Sequence, residues 1–71
     1  MSEQPPVYCV LRCPVVQQRV GMSRSTLYDR INPKSPRFDP TFPKPIRLGG
    51  SSIGWIEHEI QTWLEHRMAQ R

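Results

Sequence analysis

The chain contains no long apolar run. None of its hydrophobic stretches approaches the roughly 18 residues that read as a membrane span. Its first residues, MSEQPP, lack the cationic and apolar regions of a secretory signal, so a soluble, cytoplasmic protein is expected. Aromatic residues are few, with two each of Phe, Trp and Tyr in 71 residues. So short a chain buries a thin core and has no room for a deep, well-supported substrate cleft. No Ser/His/Asp or Cys/His set is spaced for nucleophilic catalysis, and no phosphate-cradling loop precedes a helix. An enzyme is therefore not expected, and no cofactor site is expected either.

Cysteine is scarce as well. Cys9 and Cys13 cannot build a disulfide framework. Together with His58 and His66 they resemble a zinc set in residue type only. The histidines lie eight apart, outside finger spacing, so no metal is expected. Small buried thiols at a strand-to-helix corner and surface histidines are the simpler reading. Acids are the other minority: six Asp and Glu against ten Lys and Arg, a formal net charge of +4. From Arg12 to Arg47 eight bases (12, 19, 24, 30, 34, 37, 44 and 47) face two acids, Asp29 and Asp39. From Trp55 onward three acids outnumber two bases. One part of the chain is thus suited to a polyanion and another is not.

What is present is punctuation. Residues 1–6, with Pro5-Pro6, read as a flexible tail, leaving 7–71 as one domain. VYCVL, residues 7–11, is suited to a short strand. PVVQQRV predicts a helix from Pro14 to Val20, with Val15, Val16 and Val20 inward and Gly21 closing it. In VGMSRSTLYDRI, Ser23 is a strong helix N-cap, and Met22 and Leu27 occupy the positions of a hydrophobic staple. Leu27 and Ile31 form the inward stripe. Arg24, Ser25, Thr26, Tyr28, Asp29 and Arg30 are left outward or flanking. Two short helices joined by a Gly-containing turn make a helix-turn-helix, whose second helix docks in the major groove. Arg can pair with guanine, Ser and Thr can reach bases or phosphates, and Tyr can reach phosphate.

The segment 32–45 holds five of the eight prolines, which excludes regular helix. Phe38 and Phe42 are expected to pin it to the core, with Lys34, Arg37 and Lys44 as candidate backbone contacts. In PIRLGGSSIGW, Ile46 and Leu48 alternate with Arg47, and Gly49-Gly50 supply the positive φ of a tight hairpin. Ser51 and Ser52 lead into a return strand with Ile53 and Trp55. The hairpin makes a wing, with Arg47, Gly50, Ser51 and Ser52 as its candidate DNA contacts. A last helix from about Ile56 to Met68 presents Ile56, Ile60, Trp63, Leu64 and Met68 on one face. The fold class expected is mainly α with a small β-hairpin, a winged helix-turn-helix.

VGMSRSTLYDRI, FPKPIRLGGSSIGW and IEHEIQTWLEHR, in that order and spacing, resemble the AlpA family of phage and prophage regulators. That family is similar to excisionases of the MerR-type winged-helix fold. The resemblance runs from about Val10 to Met68. It implies a transcriptional regulator, or an excision-promoting factor that assists an integrase, encoded by a mobile element. Its recognition helix would correspond to Ser23 through Ile31 and its wing to Leu48 through Ile53. The expected partner is double-stranded DNA, with a phage integrase or RNA polymerase as further candidates. A single winged domain has a small footprint, so several copies on adjacent sites are expected. Assembly would be templated by DNA, because no heptad seam is present. The alternative from a different class is an antirepressor-like module that binds protein through the acidic C-terminal helix.

Overall fold

The structure is a computed structural model that describes residues 8–71, so the expected tail and Val7 lie outside the described residues. The elements run β1 (Val10–Leu11), α1 (Cys13–Val20), α2 (Arg24–Ile31), β2 (Ile46–Gly49), β3 (Ser52–Ile56) and α3 (Glu57–Ala69). The fold is mainly helical with a β-hairpin, the arrangement of a winged helix-turn-helix. The early strand is shorter than expected and has a structural task. It pairs antiparallel with the end of β3, Val10 opposite Ile56 and Leu11 opposite Trp55, so the sheet order is β1-β3-β2.

β3 is the central strand, and its alternation decides the packing. Trp55 is fully buried and Ile53 packs against the core, whereas Gly54 points to the other face. A Cβ at Gly54 would stand 2.5 Å from Val10 Cγ1, 3.1 Å from Leu48 Cδ1 and 3.2 Å from the Leu11 carbonyl oxygen. Glycine is what lets the two edge strands close over the middle one. The core consists of Leu11, Val16, Leu27, Phe42, Trp55 and Ile60, one residue from every element except β2, with Phe42 from the Pro-rich segment.

β2 and β3 pair with Ile46 opposite Gly54 and Arg47 opposite Ile53, then shift register before Gly49 meets Ser52. Gly49 (φ 136°) and Gly50 (φ 54°) take the positive φ values expected of them. The alternation of Ile46 and Leu48, however, does not mark a buried face. Both are about two-fifths exposed (40% and 44%), because β2 is an edge strand whose outer face nothing covers among the described residues.

Other expectations are corrected in the same way. α1 begins one residue early, at Cys13, with Pro14 in its first turn. Val16 is buried but Val15 is 41% exposed, since a two-turn helix offers the core only a narrow stripe. Ile56 ends β3 rather than starting the helix. Met68 is 56% exposed, because α3 runs past the end of the core. The thiols are not both buried: Cys9 is exposed and Cys13 half-buried.

The Pro-rich segment is held by Phe42, not by the pair of phenylalanines. Phe42 is buried and meets Trp63 edge-to-face at 4.9 Å, whereas Phe38 is half-buried and lies outside the core. Both tryptophans add a polar tie. Trp55 Nε1 donates to the Pro43 carbonyl at 3.2 Å, and Trp63 Nε1 donates to Thr41 Oγ1 at 3.3 Å. Thr41 Oγ1 in turn donates to Asp39 Oδ1, which also accepts from the Thr41 backbone N–H. The Asp39 N–H donates to the Arg30 carbonyl, fastening the segment to the end of α2.

Two outcomes are expected. Gly54→Ala should destabilise by about 1–3 kcal/mol through overpacking at the strand crossing, read as a lower urea midpoint. The Thr41 hydroxyl, above all, holds the Asp39 carboxyl below its ordinary value, with help from the Thr41 N–H and the fields of Arg30 and Arg67 and against a desolvation penalty. A depressed folded pKa contributes stability that is present above the ordinary Asp value and lost as pH falls through the folded one. Stability should therefore decline below about pH 4. Thr41→Val should flatten that decline in denaturant titrations run across the acid range.

Candidate nucleic-acid interface

The geometry of the helix pair follows from three consecutive residues. Gly21 adopts the left-handed conformation (φ 70°, ψ 31°), and its N–H and that of Met22 both return to the Gln17 carbonyl, closing α1. Met22 is half-buried against the core, one residue before the cap, while Leu27 is fully buried. Ser23 then caps α2, its Oγ accepting from the Thr26 N–H at 3.3 Å and donating to Thr26 Oγ1 at 2.9 Å. Glycine, staple and cap together fix the angle at which α2 leaves α1.

The residues expected to contact DNA divide into groups. Arg24 and Ser25 are exposed on the first turn of α2, and Tyr28 is half-exposed one turn later. The Arg24 guanidinium carbon lies 5.5 Å from the centroid of the Tyr28 ring, a cation–π contact that aims both side chains together. Gly50 and Ser51 are exposed at the tip of the hairpin and Ser52 is half-buried. Arg24, Tyr28, Ser51 and Ser52 converge on one cleft of about 310 Å³, completed by Arg12, Cys13, Pro14 and Ile53. The exposed start of α2 and the hairpin tip thus share a single concave surface, and among the described residues no carboxylate lines it.

The other candidates do not join this cleft. Ser23 uses its hydroxyl on the cap, and half-buried Thr26 accepts from it. Arg30 is half-buried, with a buried Nε lacking a partner and a carbonyl that holds Asp39, so it lies beneath the loop rather than on the exposed edge. Arg47 is exposed and pairs across the ladder with Ile53, beside the cleft without lining it. Lys44 is exposed in a different groove, near His58 and Glu59 of α3. Of the loop cations, Arg37 stands 3.8 Å from Asp29, whose other oxygen accepts from Ser35 Oγ. Arg19 forms a 2.7 Å pair with Glu57 that ties α1 to α3.

Sequence reasoning missed Arg12 as a site residue. It is exposed at the N-cap of α1, makes no side-chain cap bond and faces the cleft. The one signal for it was its place in the basic half of the chain. Its approach to Arg24, twelve positions away, is a product of the fold.

Fold and surface together define a winged helix-turn-helix with a cationic face between helix and wing. The family described as Prophage CP4-57 regulatory protein (AlpA) matches residues 9–68, and the chain belongs to that family. It is therefore a prophage regulatory protein and not an enzyme. It is 59% identical over 58 residues to "DNA-binding transcriptional activator AlpA" of Escherichia coli K12, covering 82% of this chain and 83% of the relative. It is also 36% identical over 61 residues to "Uncharacterized protein ORF88" of Enterobacteria phage P4, covering 86% of this chain and 62% of that protein. No solved structure matches.

The cap contributes directly to the presentation of α2. Ser23→Ala should cost about 1 kcal/mol of stability. Because it also loosens the first turn, amide exchange should rise at Arg24 through Leu27 before it rises in α3.

Proposed function

We propose that this chain is a sequence-specific duplex-DNA-binding transcriptional regulator of a phage or prophage element. In this reading the exposed leading end of α2, with Ser25 foremost, lies in the major groove. The tip of the hairpin, Gly50 to Ser52, lies on the adjacent backbone or minor groove. The observation that carries the reading is that the capped, polar start of α2 and the hairpin tip face the same cleft. Glu57, Glu59 and Glu65 are placed apart on α3, two of them in its first turn where they complement the helix dipole. A relative at 59% identity that is named a transcriptional activator favours promoter control over an excision role.

The contact surface is small for a specific site. Specific interfaces bury about 1,000–2,500 Å² of protein, and single modules fall at or below the lower end. Several copies on adjacent or repeated sites would supply the missing affinity.

Selection of bound duplexes from a random pool, followed by mobility shifts, tests the proposal. A recurring site should emerge. Affinity for it should fall with salt at a log–log slope near −5, the release expected for about five to seven neutralised phosphates. Ser25→Ala should cost about 1 kcal/mol, one hydrogen bond's worth, and relax preference at one base position. Failure to retain any duplex in dilute buffer would reject the proposal.

A further inference from the structure

We infer that the cleft between α2 and the wing is a seat for one backbone phosphate of the bound duplex, with Arg12 and Arg24 as its paired cations. The inference rests on the DNA-binding reading above and adds to it a binding residue, Arg12, and a role for Arg24 on the backbone instead of on a base.

The chemistry of the lining carries it. Two arginines, Arg12 at the N-cap of α1 and Arg24 at the start of α2, line one cleft of about 310 Å³. Among the described residues neither is paired with a carboxylate, although Arg19 and Arg37 both are. Two like charges brought to one concavity without an acid repel each other, and an anion placed between them reverses the sign of that interaction. The opposite wall supplies Ser51 and Ser52, hydroxyl groups that can donate to a phosphate oxygen. Tyr28 holds the Arg24 guanidinium by the 5.5 Å ring contact and lines the same cleft.

The lining is wrong for the alternatives. The volume is at the bottom of the range for small-molecule sites, and it lacks their largely apolar walls. A base edge is presented deep in the groove, ahead of the exposed helix end. This cleft lies to the side, between helix and wing, where the sugar-phosphate strand passes if α2 occupies the groove. Arginine matches phosphate geometry through its fork of N–H groups, so the pair is suited to the non-bridging oxygens.

The test uses the full chain and the duplex obtained by selection. Arg12→Ala should weaken binding about 5–10-fold, equally on the selected site and on a scrambled one, with a salt slope shallower by about one. Arg12→Lys keeps the charge but not the fork, and should recover part of the affinity and the full salt slope. In a set of duplexes each carrying a single neutral methylphosphonate linkage, the wild type should lose affinity at several linkages, as expected for about five to seven neutralised phosphates. The Arg12→Ala/Arg24→Ala double variant should be insensitive at one of these linkages and keep its sensitivity at the others. Arg12 is exposed and makes no cap bond, so an unchanged thermal melt verifies that the variants are folded. If wild type binds but Arg12→Ala binds equally well, the phosphate seat is wrong while the DNA-binding reading stands. A loss confined to the selected sequence would make Arg12 a base reader and overturn the inference. Absence of wild-type binding to any duplex would reject the underlying reading itself.

Discussion

Everything in this fold leans on Trp55. Its ring is fully buried on the central strand, where it pairs with Leu11 of β1 and shares the core with Val16, Leu27 and Ile60 of the three helices. Its indole N–H satisfies the Pro43 carbonyl, so the same residue that fills the core also anchors the Pro-rich segment. Truncating a buried tryptophan costs about 3–5 kcal/mol. That is comparable to the whole stability of a domain this small. The hairpin, the early strand and the loop are therefore one cooperative unit rather than appendages on a helix pair.

That unit sorts the charges. Arg19 is committed to Glu57, Arg37 approaches Asp29, and Arg30 lies under the loop beside Asp39. These contacts are at or near the surface and contribute little stability individually. Their effect is selective: they remove cations from some faces and leave Arg12, Arg24 and Arg47 around the hairpin and α2. A formal charge of +4 thereby becomes a directional surface.

The parts of the fold that were legible in the sequence are those written in local backbone chemistry. Gly21, Met22 and Ser23 announce the turn because a left-handed residue, a staple and a cap each have a short-range signature. Gly49-Gly50 announces the hairpin for the same reason. What was illegible depends on which neighbours arrive. Ile46 and Leu48 alternate as a buried strand would, yet they occupy an edge. Val15 and Val16 are chemically identical, and only the roll of a two-turn helix chooses between them. Phe38 and Phe42 have equal claim to pin the loop until Trp63 selects Phe42. Among the proposed DNA contacts, Arg24, Ser25 and the wing tip were readable from local pattern. Arg12 was not, because its meeting with Arg24 is made by tertiary structure.

The turn at Gly21 has a consequence for how such a protein diversifies. The direction of α2 is set by a glycine torsion, a buried methionine and a hydroxyl turned back on its own helix. The last of these lies 3.4 Å from Ser25 Oγ, so the cap and the exposed edge share a hydroxyl contact. Aim and outward chemistry are thereby encoded at adjoining positions, and in the DNA-binding reading proposed above a change at Ser25 is felt by the cap that orients the helix.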